Sequence, residues 1–360
     1  MTRVLHLVDR VTGGVPIAVC TYIRNSPADI AHVIASPHGV DGPHRVWDGV
    51  PAEVAHLDWS MRSPLHAVAH VRRLVEAAAA DVVHAHSSFP GVYARIGLSR
   101  LGPSVVYTPH CFSFERRDVS APVRTIYRAV ERALAARTSV LAACGPGEAI
   151  AAAAFCSRAR SQVIIPNVTS IKPAPSRITR EDGPLRIGMM GRWSAQKDPA
   201  YFISFAAQVK ERLGSIVATW IGGVASDEVG DVRVTGWLSH GDVARELSAL
   251  DVYVHTAAWE GFPIALLDAH ALSLPILARP IDALPNLPRA LTTTHGLHGL
   301  IEAFDSGTFD SWREQNIAAW TKILSGNTAE AQRDALARAW GRPGRIASPP
   351  PAEPTSGAYS

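Results

Sequence analysis

The feature that most constrains the fold is a repeated alternation of short apolar runs with amphipathic segments of helical periodicity. This alternation is typical of parallel βα units and disfavours a β-sandwich. One series of apolar runs lies at 4–8, 32–35, 54–57, 82–86, 105–108, 140–143 and 163–165. A second series lies at 185–190, 216–221, 232–237, 251–256 and 275–278. We therefore predict two α/β domains, each built on a doubly wound parallel sheet.

Residues 167–184 separate the two series and are rich in proline, serine and charged residues. Such a composition indicates an exposed connector, so we predict a linker there, after a first domain at 1–166. The second domain is predicted to span 185–341. The remaining residues, 342–360, contain a run of prolines and little apolar content, which predicts a disordered tail.

The charge balance argues against nucleic-acid binding, because 35 basic residues stand against 32 acidic ones and the net charge is only +3. The chain has no apolar run of about 18 residues and no signal-peptide pattern, so we expect a cytoplasmic protein. Its 4 cysteines lack CxxC and zinc-ligand spacing, which favours reduced, mostly buried thiols. The absence of D-x-D weighs against a transferase that holds a diphosphate through a divalent metal ion.

Two groups in the first half lie at the carboxyl ends of predicted strands, where doubly wound sheets bind ligands. The loop after the first strand contains Gly13 and Gly14, whose backbone could approach an anion or an acceptor; a plain tight turn is the alternative. This loop lacks the G-x-G-x-x-G spacing of dinucleotide sites, which disfavours an NAD enzyme. His84, His86 and His110 lie at or near the ends of strands, where a structural histidine with satisfied hydrogen bonds is the usual alternative to a catalytic one. His110 is the best candidate because it ends a strand and starts a loop.

Arginines outnumber acids by six to three between residues 112 and 137. Arg117, Arg124, Arg128 and Arg132 recur at near-helical spacing, so they could form a basic stripe suited to an anionic membrane surface. A solvated helix face is the alternative interpretation of the same pattern.

The second series begins with a strand that leads into a cationic loop at 191–199. Asp198 is suited to cap a helix and Pro199 to occupy its first turn, so a helix N-terminus follows the loop. Arg192 can hold two phosphate oxygens, Lys197 adds a point charge, and the helix dipole favours an anion at the same place. The pattern predicts a diphosphate site that needs no metal ion.

Glu260 and Asp268 lie eight residues apart around the predicted start of a later helix. Pro263 is suited to the first turn of this helix, so Glu260 lies just before the helix and Asp268 within it. On an ideal helix this separation is about 12 Å of rise and roughly 80° of rotation, so the two acids cannot share a proton or a metal ion. Retaining glycosidases need carboxyls about 5 to 5.5 Å apart, which disfavours that chemistry. We expect the acids to contact different parts of one extended ligand. A helix-terminal charge with a solvated acid is the alternative for an isolated pair.

Together these elements resemble the retaining glycosyltransferases of family 4, which have the GT-B fold. Gly191-Arg192 to Lys197 resembles the G-R-x4-K element of that family, and residues 251–263 resemble its D-V-x-V-x-x-x-x-x-E-G-F-P run. The pair of Glu260 and Asp268 is similar to its E-x7-E signature. The resemblance covers most of the chain and implies two Rossmann-like, doubly wound domains that face each other across a cleft.

The resemblance also implies a nucleotide-sugar donor on the second domain and an acceptor that enters from the first. By matching position, Arg192 and Lys197 would neutralise the leaving diphosphate, and Asp268 would hold the ribose hydroxyls. Glu260 and the backbone after it would hold the sugar and its phosphate, while His110 would approach the sugar from the other domain. The residues matched to catalysis are Glu260, Arg192, Lys197 and His110, and those matched to donor binding are Gly261, Phe262, Pro263, Ile264, Asp268 and Gly14.

The chain departs from the family pattern at several places. Asp268 stands where a second glutamate is usual, so its carboxylate is one methylene further from a ribose. Cys111 follows His110 where an aspartate is common, and Val168 stands where glycine is common. The segment 279–285 lacks the double glycine usual after the short strand. These departures concern the acceptor and the activity more than the fold.

We therefore predict a metal-independent, retaining glycosyltransferase of the hexosyl type that uses a UDP- or GDP-sugar and no cofactor. The expected acceptor is a glycan or a lipid-linked saccharide in polysaccharide synthesis, with peripheral contact at the inner membrane face and no nucleic-acid partner. Two alternatives stay open. One is a GT-B-fold nucleotide-sugar epimerase, for which the sequence shows no clear acid–base set, and the other is a non-catalytic protein that binds sugar nucleotides.

Overall fold

The structure, a computed structural model, contains two parallel sheets in succession along the chain. It describes residues 1–37, 47, 50–51, 53–59, 63–172 and 183–341. Most of the predicted linker, at 173–182, and the whole predicted tail, at 342–360, lie outside these described residues. The limits predicted for the two domains therefore stay predictions.

The first sheet has seven strands among the described residues, and each is parallel to its neighbours. In chain order its elements are β1 (Thr2–Val8), α1 (Gly14–Arg24), β2 (Ile30–Ser36), β3 (Ala55–Asp58), α2 (Pro64–Ala78), β4 (Val82–His86), α3 (Ser88–Gly97), β5 (Ser104–Thr108), α4 (Ala121–Leu134), β6 (Val140–Ala143), α5 (Pro146–Phe155) and β7 (Ser161–Ile164). The strand order is β3-β2-β1-β4-β5-β6-β7, so the direction of winding reverses between β1 and β4.

The second sheet follows the same plan and has five strands in the part of the chain that the structure describes. Its elements are β8 (Leu185–Met190), α6 (Pro199–Leu213), β9 (Ile216–Val229), β10 (Val232–Gly236), α7 (His240–Ser248), β11 (Val252–His255), α8 (Ile264–Ala271), β12 (Ile276–Ala278), α9 (Gly296–Asp305), α10 (Phe309–Ile323) and α11 (Ala329–Trp340). The strand order is β10-β9-β8-β11-β12, so the winding reverses between β8 and β11. Doubly wound sheets bind ligands at such reversal points, beyond the carboxyl ends of the strands.

The predicted strands are all present, and the prediction of two doubly wound α/β sheets is confirmed. Asp198 caps α6 by accepting a hydrogen bond from the Tyr201 N–H group, and Pro199 begins that helix, as predicted. Two details differ. β9 continues to Val229, beyond its predicted end at 221, and α9 was not predicted. Among the described residues, none of the helices has the length and apolar character that crossing a bilayer requires.

The last helix, α11, returns to the first sheet. Trp340 is fully buried there in an apolar cluster that includes Val4, Val82 and Val106. Gln332 in the same helix donates a hydrogen bond of 2.8 Å to the Pro166 carbonyl. From the sequence, this helix was predicted to belong to the second domain. Periodicity identifies the apolar face of a helix, but it does not show against which sheet that face packs.

The two halves touch through backbone at the start of α5. A Cβ atom built on Gly147 would lie 1.9 Å from the Asp282 carbonyl oxygen and 2.7 Å from the Ala283 Cα atom. Both obstacles are backbone atoms, so no side-chain rotation can relieve the clash. Position 147 therefore requires glycine for this interface to close.

We predict that Gly147→Ala opens this interface and lowers the free energy of unfolding by about 1–3 kcal/mol, the usual cost of overpacking a closed contact. Thermal or urea denaturation of the whole chain measures the change. Gly241→Ala is the matched control, because a Cβ atom built on Gly241, also near the start of a helix, meets nothing within 4 Å. Equal stability of the Gly147→Ala protein and the wild type would contradict this account of the interface.

Candidate active site

Glu260 lies in the loop after β11 and is held by the loop after β8. Its carboxylate pairs with the Lys197 ammonium group, and its Oε2 atom accepts a hydrogen bond of 3.2 Å from Gln196 Nε2. Gln196 also donates to the Trp259 carbonyl at 3.2 Å. Because β8 and β11 are neighbours where the winding reverses, the structure brings Glu260 and Lys197 together at the expected ligand site.

Arg192 extends from the same loop toward the first domain. Its Nη2 atom donates to Gln196 Oε1 at 3.4 Å, and its Nε atom lies 3.8 Å from a Cβ atom built on Gly13. Burial, and then the positive charge of Arg10, lower the pKa of the Arg192 guanidinium. An anion between the two arginines would relieve that repulsion. Sequence reasoning missed Arg10, because chain order does not reveal that the loops after β1 and β8 face each other.

Gly261 brings the loop of Glu260 onto the backbone of the first domain. A Cβ atom built there would lie 2.6 Å from the Cys111 nitrogen and 2.8 Å from the His110 carbonyl carbon. His110 and Cys111 have φ angles of 51° and 91°, which are uncommon for residues other than glycine and are maintained by the surrounding packing. The structure thus places His110 beside the acid loop, and its predicted approach to the sugar stays a prediction.

Phe262, Pro263 and Ile264 are buried in the seam between the two domains. The Phe262 ring packs against Gly145, since a Cβ atom built on Gly145 would lie 2.5 Å from its Cδ2 atom. Ile264 joins the apolar cluster under the first sheet, and its Cδ1 atom lies 4.0 Å from a Cβ atom built on Gly14. The side chains after Glu260 therefore stabilise the closed interface, and the donor contacts predicted for their backbone stay predictions.

Glu148 anchors the loop that carries His110. Its buried carboxylate accepts hydrogen bonds from the Cys111 N–H group at 2.6 Å and from the Cys144 N–H group at 2.7 Å. Burial raises the pKa of Glu148, and these two donors act in the opposite direction. One side chain thereby ties together the loops that follow β5 and β6. Its position in the sequence carries no signal of this role.

The cysteines are free thiols, and three of them are buried, as the sequence predicted. Burial raises the pKa of the Cys20 thiol to about 11 and that of the Cys156 thiol to about 12. Thiols with such a raised pKa stay protonated at neutral pH and are poor nucleophiles. Cys20 and Cys156 therefore contribute to the packing of the protein.

Asp268 is directed at the segment that joins the two halves. Its buried carboxylate accepts hydrogen bonds from the Ser170 N–H group at 2.7 Å, the Thr169 hydroxyl at 2.8 Å and the Ser170 hydroxyl at 3.0 Å. Burial raises the pKa of Asp268, which these hydrogen bonds oppose. The structure thus does not place this carboxylate free in the cleft beside Glu260. The short Asp268 side chain instead contacts Thr169 and Ser170 of the linker. The predicted contact of Asp268 with a ribose stays a prediction.

We predict that Asp268→Ala lowers the free energy of unfolding by about 2–5 kcal/mol, because several hydrogen bonds to a charged group are lost and their donors stay buried. Denaturation in urea measures this. Asp305→Ala, at the exposed end of α9, serves as the control and should change stability by less than about 0.5 kcal/mol. If the two variants were equally stable, Asp268 would not be the anchor of the linker.

Among the described residues, His6, His84 and His86 form the one group whose potential metal-ligand atoms lie within 4.8 Å of one another. Burial lowers the pKa of each ring well below its usual range, so these imidazoles are neutral. Their nitrogen atoms, however, already form hydrogen bonds to one another and to neighbouring side chains. The expectation that catalysis needs no metal ion stays a prediction.

Two doubly wound parallel sheets meet in this molecule, and the loops at their carboxyl ends bring two cations, a carboxylate and a histidine together. This arrangement is that of the GT-B fold. The model of the family described as glycosyl transferase 4-like domain matches residues 14–168, and that of glycosyl transferases group 1 matches residues 184–309. The chain belongs to the family 4 type of glycosyltransferase and is an enzyme of that type, which confirms the resemblance seen in the sequence.

Two bacterial relatives align with the chain. An uncharacterized 41.2 kDa protein in the cps region of Klebsiella pneumoniae is 24% identical over 340 residues, which cover 88% of this chain and 93% of that protein. The UDP-Gal:alpha-D-GlcNAc-diphosphoundecaprenol alpha-1,3-galactosyltransferase of Escherichia coli is 27% identical over 231 residues, which cover 56% of this chain and 58% of that enzyme.

Solved structures share the fold at low sequence identity. Sucrose-phosphate synthase from Thermosynechococcus elongatus has a TM-score of 0.71 and 14% identity, with 94% of this chain and 98% of that chain covered. Anabaena HepE in complex with UDP and glucose has a TM-score of 0.69 and 14% identity, with 94% of this chain and 99% of that chain covered. These neighbours confirm the GT-B fold.

Proposed function

We propose that the protein is a retaining, metal-independent hexosyltransferase that moves a sugar from a nucleotide sugar to a lipid-linked saccharide. The observation that carries this proposal is the pairing of Glu260 with Lys197 beside Arg192, where the winding of the second sheet reverses. Family 4 membership supports the reaction class, and retention at the anomeric carbon is proposed from the same family.

Fixed positive charge is the main contribution of this site to the reaction. Negative charge develops on the diphosphate as its bond to the sugar breaks, and Arg192 and Lys197 would neutralise it. Arg10 would add a third positive charge from the opposite domain. The Lys197 and Glu260 side chains are only 15% and 10% exposed, so their charges act where water screens them weakly.

Glu260 would change partners when a donor binds. The diphosphate would compete for the Lys197 ammonium group and release one carboxylate oxygen to a sugar hydroxyl. Gln196 would continue to hold the other oxygen, so the carboxylate keeps its orientation. Charge-assisted hydrogen bonds of this kind are about twice as strong as neutral ones. Glu260 would therefore bind the sugar hydroxyl more strongly than an uncharged side chain would.

The relatives indicate the substrate classes. The Escherichia coli relative is named for a UDP-Gal donor and a saccharide on diphosphoundecaprenol, and HepE was also solved with UDP-glucose. The Klebsiella relative is described as a protein in the cps region. We infer a UDP-hexose donor for this chain and an acceptor saccharide carried on a lipid diphosphate.

We predict that Lys197→Ala and Arg192→Ala each lower kcat by about 10²- to 10³-fold, because each removes a fixed charge that stabilises the leaving diphosphate. The assay measures UDP release and product formation from UDP-galactose or UDP-glucose and a lipid-diphosphate GlcNAc acceptor, with EDTA present. Lys210→Ala is the control, because Lys210 is exposed and pairs with Asp231 on the surface. That variant should retain wild-type activity.

Three outcomes would contradict this proposal. Activity that EDTA abolishes and that neither substitution reduces would exclude the metal-independent mechanism. An epimerised nucleotide sugar formed without acceptor would identify an epimerase. Tight UDP binding without turnover across a panel of acceptors would identify a binding protein.

We further propose that α4 contacts an anionic membrane surface, where a lipid-linked acceptor resides. Arg128 and Arg132 are exposed on this helix, Arg124 is half-buried beside them, and Arg117 is exposed in the preceding loop. Ile126 on the same helix has 60% of its surface exposed, but it lies two residues from Arg124 and from Arg128 and therefore points to another side of the helix. Basic residues clustered on one helix face favour contact with an anionic membrane surface.

We predict that the double variant Arg124→Glu and Arg132→Glu binds anionic vesicles at least tenfold more weakly, because each basic residue near such a surface contributes about 1 kcal/mol. Vesicle sedimentation at low and high salt measures the binding. The double variant Arg73→Glu and Arg212→Glu makes the same change in net charge on exposed residues outside α4 and serves as the control. Equal binding by the two variants would show that α4 is a solvated face.

A further inference from the structure

Four histidines form a hydrogen-bonded row across one face of the first sheet. His86 Nδ1 lies 3.1 Å from His110 Nε2, and His86 Nε2 lies 3.0 Å from His6 Nδ1. His6 Nε2 in turn lies 3.0 Å from His32 Nδ1. This imidazole row crosses β2, β1, β4 and the end of β5, which are consecutive neighbours in the sheet. It links the histidine of the cleft to a strand on the far side of β1.

Burial keeps the imidazole row neutral. It lowers the pKa of His32 to about 4 and that of His110 to about 3. The pKa values of His6 and His86 are lowered well below their usual range, first by burial and then by neighbouring histidines. At neutral pH each ring therefore carries one proton, and it donates through one nitrogen and accepts through the other.

The environment of His32, at one end of the imidazole row, determines in which direction the hydrogen bonds of the row are donated. His32 Nε2 is buried and has no hydrogen-bond partner among the described residues. A buried N–H group without a partner is rarer than a buried acceptor without one, so the His32 proton lies on Nδ1. His32 then donates to His6, and His6 donates to His86. His86 must in turn donate through Nδ1, which leaves His110 Nε2 as the acceptor.

His110 thus carries its own proton on Nδ1, which, unlike His32 Nε2, is not among the fully buried side-chain atoms that lack a hydrogen-bond partner. We propose that His86, supported by His6 and His32, is a positioning residue that holds His110 as an Nδ1–H donor toward the cleft. The group that it would meet is a hydroxyl oxygen of the transferred sugar. This last step rests on the proposed function, whereas the position of the proton does not.

His84 lies beside the imidazole row, and its bonds argue against a metal ion there. Trp340 Nε1 can only donate, and it lies 3.2 Å from His84 Nδ1. His84 therefore carries its proton on Nε2 and donates to the Thr108 hydroxyl at 2.8 Å. A metal ion bound between His6, His84 and His86 would have to displace hydrogen bonds on each ring, so the observed geometry favours the hydrogen-bonded row.

NMR of the full chain labelled with ¹⁵N-histidine tests the proposal without substrate. Long-range ¹H–¹⁵N spectra distinguish a ring protonated on Nδ1 from one protonated on Nε2, and the signals lost in His110→Asn assign His110. The expected result at neutral pH is the Nδ1–H form for His110. The Nε2–H form would overturn the proposal, as would one equivalent of zinc that stays with the purified wild type and is lost in His6→Asn.

Variants of His86 connect the proton position to activity. His86→Leu removes the donor to His110 Nε2, and we expect a mixture of the two His110 forms and about a tenfold loss in kcat/KM. His86→Asn places an amide near the former Nδ1 atom, so it should restore the Nδ1–H form and most of the activity. His298→Leu, on an exposed residue, is the control.

These outcomes separate the two proposals. An Nδ1–H signal from His110 in a protein without transferase activity would leave the imidazole row intact and contradict only the proposed function. Equal His110 spectra in the wild type and His86→Leu would contradict the positioning role. If His86→Leu fails to fold, the spectrum of the wild type and the rescue by His86→Asn still decide the question.

Discussion

The active site depends on the close approach of two backbones. At Gly261 the acid loop of the second domain lies so near His110 and Cys111 that a Cβ atom would meet the Cys111 nitrogen at 2.6 Å. At Gly147 the first domain approaches the 282–283 backbone even more closely. Because these contacts involve backbone, they define the relative position of the two domains more strictly than side-chain packing could. Glu260 and His110 share one cleft as a consequence.

Positively charged side chains outnumber negatively charged ones among the residues discussed at the cleft. Glu260 is neutralised by Lys197, while Arg192 donates a hydrogen bond to the neutral amide oxygen of Gln196 and is repelled by the positive charge of Arg10. The local surplus is therefore positive and lies between the two domains. A cleft of this kind favours a ligand with two or more negative charges, such as a nucleoside diphosphate. Under the proposed function, these protein groups would stabilise the leaving diphosphate.

Buried polar groups orient the loops around the cleft. Glu148 accepts hydrogen bonds from two loops of the first domain, Asp268 accepts them from the linker, and His86 contacts His110. Each group is costly to bury without a partner, so each restricts its neighbours to a single arrangement. Stability and the preorganisation of the site thus come from the same hydrogen bonds.

The sequence by itself determined the class of fold, the strands and the motifs at Arg192, Lys197 and Glu260, because periodicity and motif spacing are local properties of the chain. Only the tertiary structure decided that Asp268 binds the linker, that Arg10 faces Arg192, that α11 covers the first sheet and that four histidines form a row. Each of these arrangements joins residues that are distant in the chain, and their contact depends on strand order, on register and on how the two domains close.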